Sequence, residues 1–515
     1  MNRMRMAIFL FAVTGLTIGA CALVASTVIV THETALFSYL WVIGFGILFF
    51  NVAFLFVLSL SQLCLKVPIL PERMVRRQPR VALVYPVRNE EHGLFERIDY
   101  SLSGNLLPGL DLWILSDSDS TFERDEKRLV TRLSAKYARR IHYRRRKLAF
   151  ERKQGNLKEF ITRHFEYPYI YVADADSMVP PGAILKLLRK AEHPQNQDIA
   201  IFQSFVKIAH AKTWYAHFER IGTSFAQRFN FTAYQALFGR SISFGHHQLV
   251  RASLLRRIKL PSGLLSHDNW DTVLLDQLGY RVAFCPDVSG FDETPSNFLE
   301  ARRRARRWAQ GTLQGWPLPF MRGVTLASRF LAFYGIYLYL ADLVFFAWVL
   351  LGLFSHSAVS GELIHYEVDC VWLGLISNHV LTGVLVFSLA VIFCHKLTIV
   401  RSARDLKDYG YEVLFSTLVT LNNFIYAPLD LLGLPLRKLV WRPMRKDPFE
   451  RVRLQEIIKH FWLGTVAGIW GFYFCTHETP YFIWQIVPIL ISLTFSIPLI
   501  YLTGKGMPDW VHQWI

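Results

Sequence analysis

The stretch YIYVADADSMVPPG, residues 169–182, decides the fold. Tyr169 to Ala173 form a short apolar, β-prone run that leads straight into Asp174-Ala175-Asp176. Such a run reads as a buried strand. Comparable runs flank it: VALVYP at 81–86, LWILS at 112–116, RIHYR at 140–144 and IAIFQ at 199–203, with helical stretches between them. Alternating strands and helices predict an α/β fold built on a parallel sheet. In such sheets ligands gather beyond the carboxyl ends of the strands. Acidic residues stand at those ends: Asp117-Ser118-Asp119 after the second run, Asp174 and Asp176 after the fourth.

Outward from this polar segment the chain is apolar. Of 515 residues, 52% are hydrophobic, including 14 Trp and 40 Phe, and they gather in long blocks. Ala7–Val30 carries no charge over about 24 residues, enough to cross a hydrocarbon core of about 30 Å. It lacks the short apolar core and small-residue cleavage site of a signal peptide, so it reads as a retained helix. Further spans are expected at Ala35–Leu65, Phe330–Phe354, Val371–Cys394, Phe461–Cys475 and Tyr481–Leu502, six crossings in all. The chain then divides into two membrane helices (1–70), a soluble domain (71–325) and a C-terminal membrane region (326–515) of about four spans. One apolar segment, Tyr411–Leu434, breaks the pattern. It is flanked by basic residues on both sides and contains Asn422, Asn423, Pro428 and Asp430, so 411–460 is expected to be re-entrant or interfacial.

The formal charge of +17 follows the same topology. Arg3 and Arg5 precede the first span, and Lys396, Arg401, Arg404 and Lys407 follow the fourth. The loops 31–34, 355–370 and 476–480 have no Lys or Arg. Basic residues collect on the cytoplasmic side, which places both termini and the soluble domain there. The six cysteines (21, 64, 285, 370, 394 and 475) show no paired spacing, so neither a disulfide framework nor a zinc site is supported.

Asp174 and Asp176 repel each other unless a positive group stands beside them. Mg²⁺ or Mn²⁺ shared with a diphosphate answers this; the plainer reading is a solvated turn with a helix cap near Pro180-Pro181-Gly182. Lys153, in ERKQGNLKEF (151–160), sits where a helix begins and can face a phosphate, or is a basic surface turn. SFGHHQLVR (243–251) puts Gly245, His246 and His247 between a strand-like run and a helix, with no third ligand at zinc spacing. Asp268, in LLSHDNWDTVLLDQLGY (264–280), opens an amphipathic helix, either as a general base or as an acid favoured by the helix dipole. ARRRARRWAQGTLQ (301–314) packs five arginines into six positions. In a helix, Arg303, Arg307, Gln310 and Gln314 share a face that Arg304 and Trp308 adjoin. Guanidinium forks suit diphosphate oxygens and indole suits a pyranose face. The alternative is a juxtamembrane anchor, where each basic residue contributes about 1 kcal/mol. Arg302 and Arg306 facing lipid, with Arg304 and Arg307 facing a phosphate, satisfies both. A nucleic-acid partner needs a basic face clear of membrane and is not expected.

Taken in order, P-V-x-N-E (86–90), the acidic turn, K-x-G-N (153–156), D-A-D (174–176), G-H (245–246), S-H-D (266–268) and R-x-R-R-W-x-Q-G-x-L-Q (304–314) resemble a processive family 2 glycosyltransferase related to cellulose synthase. SHD, RARRWAQGTLQ and the C-terminal segment are similar to the bacterial glucans biosynthesis glucosyltransferase H family, which makes osmoregulated periplasmic glucan backbones. The resemblance covers about 80–316 and continues weakly through 412–418 and 441–465. It implies a cytoplasmic GT-A type domain, Rossmann-like with a mixed, mostly parallel sheet, inserted in an α-helical membrane protein. It also implies a UDP-glucose donor, a growing glucan acceptor and Mg²⁺ or Mn²⁺. Glu90 would lie near the uridine and Asp117 on the base. Lys153, Asp174 and Asp176 would hold the donor, the two aspartates with the metal. Asp268 would be the base, Arg304 and Arg307 would face the pyrophosphate, and Trp308 and His246 would serve the acceptor. His247 stands where the family tends to carry Asn. The implied function is inverting polymerisation of glucose into a β-glucan. Export across the bacterial inner membrane is coupled to it, with membrane lipids and a periplasmic glucan-processing protein as partners. The alternatives are a synthase of another β-glycan, cellulose-, hyaluronan- or chitin-like, and a lipid-linked glycosyltransferase.

Overall fold

Seven strands form one sheet in the computed structural model, which describes residues 2–28, 35–75, 78–90, 92–137, 140–359, 379–434, 453–477 and 483–508. They are β1 (Val81–Val87), β2 (Leu110–Ser116), β3 (Ile141–Arg145), β4 (Tyr169–Val172), β5 (Ile199–Ile208), β6 (Gln248–Arg251) and β7 (Arg281–Asp292). Their order is β3-β2-β1-β4-β6-β5-β7. Only β6 runs antiparallel to its neighbours, so the sheet is mixed and mostly parallel, as expected.

The first five strands match the apolar runs of the sequence. Both sheet faces are covered, which is why those runs are continuous rather than alternating. On one face Leu83, Tyr85 and Ile114 pack against Ile98, Leu102, Ile184 and Leu187. On the other, Ala82, Val84, Ile170 and Val172 meet Leu157, Phe160 and Ile161. Each such aliphatic or aromatic side chain contributes roughly 1.5–3 kcal/mol through burial. The last two strands were not anticipated. β7 is interrupted by Pro286 and Gly290, and its pairing with β5 jumps from Ser204↔Cys285 to Phe205↔Ser289. The extra residues bulge out, and the sequence there reads as a loop. β6 corrects a second expectation, since the histidine pair is followed by a strand rather than directly by a helix. Its four residues are too few for a pattern to emerge, and polar Gln248 and Arg251 end it.

Three helices, Met4–Ser26, Ser38–Cys64 and Leu326–Gly352, are long and apolar enough to cross a membrane among the described residues. A fourth span arises if Ile486–Thr494 and Ser496–Thr503, bent by 70° at their junction, count as one. Pro498 lacks the N–H that would continue the first of these helices, which accounts for the break. Six crossings were expected. The fourth of them survives as the helix His379–Cys394, with 371–378 outside the described residues, and the fifth lies within Leu454–His477. The segment expected to be re-entrant is broken too, into Ala403–Leu418 and Asn423–Leu432. Buried Asn422 sits at the break and donates to Val419 and Ser492. Residues 435–452 of that segment lie outside the described residues.

The sheet domain and the apolar helices are packed together. Phe225, Phe229, Tyr234 and Phe238 join a cluster with Phe9, Phe54, Phe330 and Tyr334. Arg5 donates to the carbonyl of Ala236 at 3.2 Å. At the other end, Trp214 N–H donates to Lys505 and Met507 N–H to Lys212, pairing 505–507 with 212–214.

Candidate active site

Strand β4 delivers its acids into a tight turn. The Asp174 N–H donates to the Ser177 hydroxyl, and the Ser177 N–H to the Asp174 carbonyl, fixing 174–177 just past the sheet. Lys153, in the first turn of the helix Arg152–Arg163, reaches Asp174 Oδ1 with its Nζ at 2.5 Å and donates to the Gly245 carbonyl at 2.8 Å. Burial works to lower the lysine, but Asp174, then Asp268 and Asp176, raise it above its ordinary value. Burial likewise works to raise Asp174, and Lys153 with His246 holds it below the usual carboxylate range.

Because β6 is antiparallel, its start lies beside the end of β4, with Gln248 opposite Val172. That reversal carries His246 to within 3.8 Å of Asp174. His246 donates from Nδ1 to the Phe244 carbonyl at 2.8 Å and from Nε2 to Asp292 at 2.6 Å, so both ring nitrogens face acceptors. Burial opposes the charge, but Asp292 and Asp174 raise the imidazole to about 10. His247 donates from Nε2 to the other Asp292 oxygen at 2.8 Å and accepts at Nδ1 from Tyr171. Against the cost of burial, the two histidines hold Asp292 well below the carboxylate range. A Cβ at Gly290 would lie 2.1 Å from His247 Nδ1, so this site needs glycine there.

Asp268 begins the helix Asp268–Gln277 and lies over Gly245, where an added Cβ would meet its Oδ1 at 2.1 Å. Ser266 Oγ donates to its Oδ2 at 2.9 Å. The neighbouring His267 pairs with Asp271 at 2.6 Å and stands 3.7 Å from Asp268 Oδ1. Gly245 thus joins the strand-end acids to Asp268: its carbonyl takes Lys153 and its α-carbon carries the Asp268 carboxylate.

The arginine run is helical from Phe298 to Leu313, capped by Asn297, which accepts the Glu300 N–H at 3.0 Å. The helix divides its cations among its faces. Arg302 makes a two-pronged pair with Asp430 at 2.7 and 2.9 Å, and Arg306 approaches the same carboxylate at 3.5 Å. These two were expected to meet lipid; they meet an acid of the broken segment instead. Arg303 pairs with Glu300 and Glu456. Arg304 meets Glu219 at 2.5 Å and stacks on Trp308 at 4.6 Å, so its charge is already answered. Arg307 makes no hydrogen bond or ion pair to the described residues. Burial and Arg304 lower it from its ordinary value while Asp174 and Asp176 oppose them, which puts it within the field of the acidic pair. Trp308 is 49% exposed, leaving an indole surface open.

Asp117 and Glu90 stand apart from this cluster. Asp117 is clasped by Arg146 at 2.7 Å to each oxygen and by Asn156 at 2.9 Å. Arg146 continues to the carbonyl of Arg152, next to Lys153, which links the carboxyl end of β2 to the rest. Glu90 is held 3.9 Å from Arg97, which also binds Glu293 and the Ala175 carbonyl. Sequence reasoning missed Arg146, Glu219 and Asp292. The run Arg144-Arg145-Arg146 after a strand was a usable signal for the first. Asp292 obeys the acid-after-strand rule, but its strand was hidden by proline and glycine. Glu219 leaves no local signature.

Residues 169–421 match the family model described as glycosyl transferase family group 2. The chain carries a family 2 glycosyltransferase domain. Its mixed, mostly parallel sheet is the arrangement expected from the sequence. The chain is 27% identical over 482 residues to Glucans biosynthesis glucosyltransferase H of Pseudomonas putida, covering 85% of this chain and 54% of that protein. The protein of the same name from Pseudomonas aeruginosa is 26% identical over 467 residues, covering 83% and 54%. The chain therefore spans about half the length of the curated relatives it matches. A solved mannosyltransferase, PcManGT from Pyrobaculum calidifontis in complex with GDP-Man and Mn²⁺, aligns at TM-score 0.47 and 15% identity over 77% of this chain and 98% of that one. The matched part of the glycosyltransferase domain holds Asp174, Asp176, His246, Asp268, Arg304, Arg307 and Trp308; Glu90, Asp117 and Lys153 precede it.

The glycosyltransferase domain constrains how a metal could bind. Among the described residues no group of three or more His, Cys, Asp or Glu side chains is arranged to hold an ion. One Asp174 oxygen is already engaged by Lys153. A divalent ion would be held by Asp176 and Asp174 together with substrate phosphate and water, in competition with Lys153 and His246 for the Asp174 carboxylate. Mg²⁺ and Mn²⁺ accept such a shell, so the residues fit.

Proposed function

We propose that this chain polymerises glucose from UDP-glucose into a β-glucan backbone, by inverting transfer, at the cytoplasmic face of a bacterial inner membrane. One observation carries the reading: beyond the carboxyl end of β4, Lys153 reaches Asp174 and donates to the Gly245 carbonyl, and the Asp268 carboxylate lies against the same glycine. The curated relatives, named for glucan biosynthesis, support glucose as the sugar.

The donor diphosphate meets Arg307, which makes no competing pair to the described residues, and Lys153 behind it. Asp117, held rigidly by Arg146 and Asn156, faces the nucleotide base. The half-exposed Trp308 offers its face to the acceptor sugar, and His246 with Asp292 lines the floor. Asp268, steadied by Ser266, takes the proton from the acceptor hydroxyl as that oxygen bonds to the anomeric carbon. The bond from that carbon to the diphosphate breaks on the opposite side, and UDP leaves with the electron pair. Asp174 and Asp176 would hold a divalent ion, which when bound would supply neutralising charge for the diphosphate.

The contacts of Arg5 with Ala236 and of 505–507 with 212–214 support placing both ends of the described chain on the domain's side of the membrane. An even number of crossings follows on each flank. Export of the glucan through the apolar helices, to a periplasmic protein that processes it, completes the proposal. The test is the purified chain in lipid nanodiscs with labelled UDP-glucose and Mg²⁺ or Mn²⁺, followed by linkage analysis. β-linked glucan and released UDP are expected. Transfer from a different UDP-sugar would favour a synthase of another β-glycan, and no transfer from any would overturn the reading.

A further inference from the structure

We propose that Asp430 is a positioning residue for the donor site, setting the rotation of the arginine helix so that Arg307 is held toward Asp174 and Asp176. The inference rests on the proposed function and extends it to a part of the chain more than a hundred residues away. Asp430 lies at the end of Asn423–Leu432, the short helix after the break in the apolar segment. Arg302 meets both of its oxygens, through Nε and Nη2, in a two-pronged pair whose planarity fixes the guanidinium against the carboxylate. Arg306, one turn on, leans on the same carboxylate.

The clamp is itself braced. The Arg302 guanidinium lies 4.4 Å over the ring of buried Tyr426, whose hydroxyl accepts the Gly464 N–H at 2.8 Å. Arg303 reaches Glu456 of the same neighbouring helix at 3.0 Å. Helical spacing does the rest. Arg302 and Arg306 occupy one face and Arg303 and Arg307 the next, so a rotation that frees Arg302 swings Arg307 away from the acids. Asp430 never approaches the donor; it acts through the helix.

The experiment uses the full chain in nanodiscs, with UDP binding by calorimetry and the UDP-glucose KM and kcat as readouts. Asp430→Asn is expected to weaken UDP binding and raise the donor KM about tenfold, with kcat within about threefold, while Asp430→Glu restores most of the loss. The decisive comparison is in an Arg307→Met background. There Asp430→Asn should weaken UDP binding by less than about twofold, because a residue that acts by placing Arg307 has nothing left to place. Full additivity of the two losses, or unchanged binding in Asp430→Asn, overturns the inference. If Asp430→Asn fails to accumulate, Arg302→Gln opens the same clamp with one fewer unpaired charge and is judged by the same outcomes. A wild-type chain that binds no UDP overturns the proposed function and this inference with it. Wild-type binding with Asp430→Asn unaffected overturns the clamp alone.

Discussion

At Asp268 the carboxylate rests on a glycine α-carbon and accepts one serine hydroxyl, with His267 3.7 Å away. Asp268→Asn keeps the shape and removes the base, so turnover should fall about 10²–10⁴-fold. UDP release in nanodiscs measures it, and near wild-type turnover would take Asp268 out of the mechanism. His246 makes a prediction in pH. Its folded value, about 10, lies above the ordinary 6.5, so the stabilisation it brings is complete below 6.5 and drains away as pH rises toward 10. The melting temperature of wild type should exceed that of His246→Gln at pH 6.5, and the gap should close by pH 10. A gap that stays constant would mean the imidazole is not held as a cation. Asp174, Asp176 and Asp268 could be read from the sequence because each follows a recognisable strand or opens a recognisable helix. Asp430 was read there only as a polar break in an apolar segment. Its pairing with Arg302 spans 128 positions and leaves no local pattern.

The elements teach a related lesson. β1, β2, β4 and β5 were legible because burial on both faces makes them largely apolar runs. β7 was not, because a bulge places Pro286 and Gly290 inside it, and β6 was not, because four residues are shorter than any period. Yet the loop leading into β6 is where the site is tied together. Gly245 has φ of +75° and no room for a methyl group, with Asp268 Oδ1 2.1 Å from where a Cβ would stand. Gly245→Ala should displace either the loop or the Asp268 carboxylate, lowering turnover at least tenfold with a smaller effect on UDP binding. Equal loss in both readouts would point to collapse of the whole site. The arginine helix was correctly placed by its spacing, but four of its five cations proved to be matched with acids that lie on its own first turn or on other elements.

For the whole molecule, composition sets a polar domain against apolar flanks, since hydrocarbon thickness gives a length that sequence can be measured against. The number of crossings was less legible, because Pro498 and Asn422 divide apolar runs into shorter, bent pieces. With contacts tying Arg5 and 505–507 to the sheet domain, single cysteines placed at positions 5 and 505 of a cysteine-free chain should resist a membrane-impermeant reagent added to intact cells and react after permeabilisation. Labelling of either in intact cells would contradict the even count.

The seam between 505–507 and 212–214 gives the bilayer a handle on the domain. At its centre is Thr213, whose hydroxyl donates to the Ser296 carbonyl at 2.6 Å, one residue before the Asn297 cap of the arginine helix. A thicker or thinner hydrocarbon layer that tilted the bent helix pair Ile486–Thr503 would pull on this seam first, and through Thr213 on the very turn that starts the helix bearing Arg307 and Trp308. If the proposed transfer takes place beside that helix, its turnover in nanodiscs is expected to change with lipid acyl length.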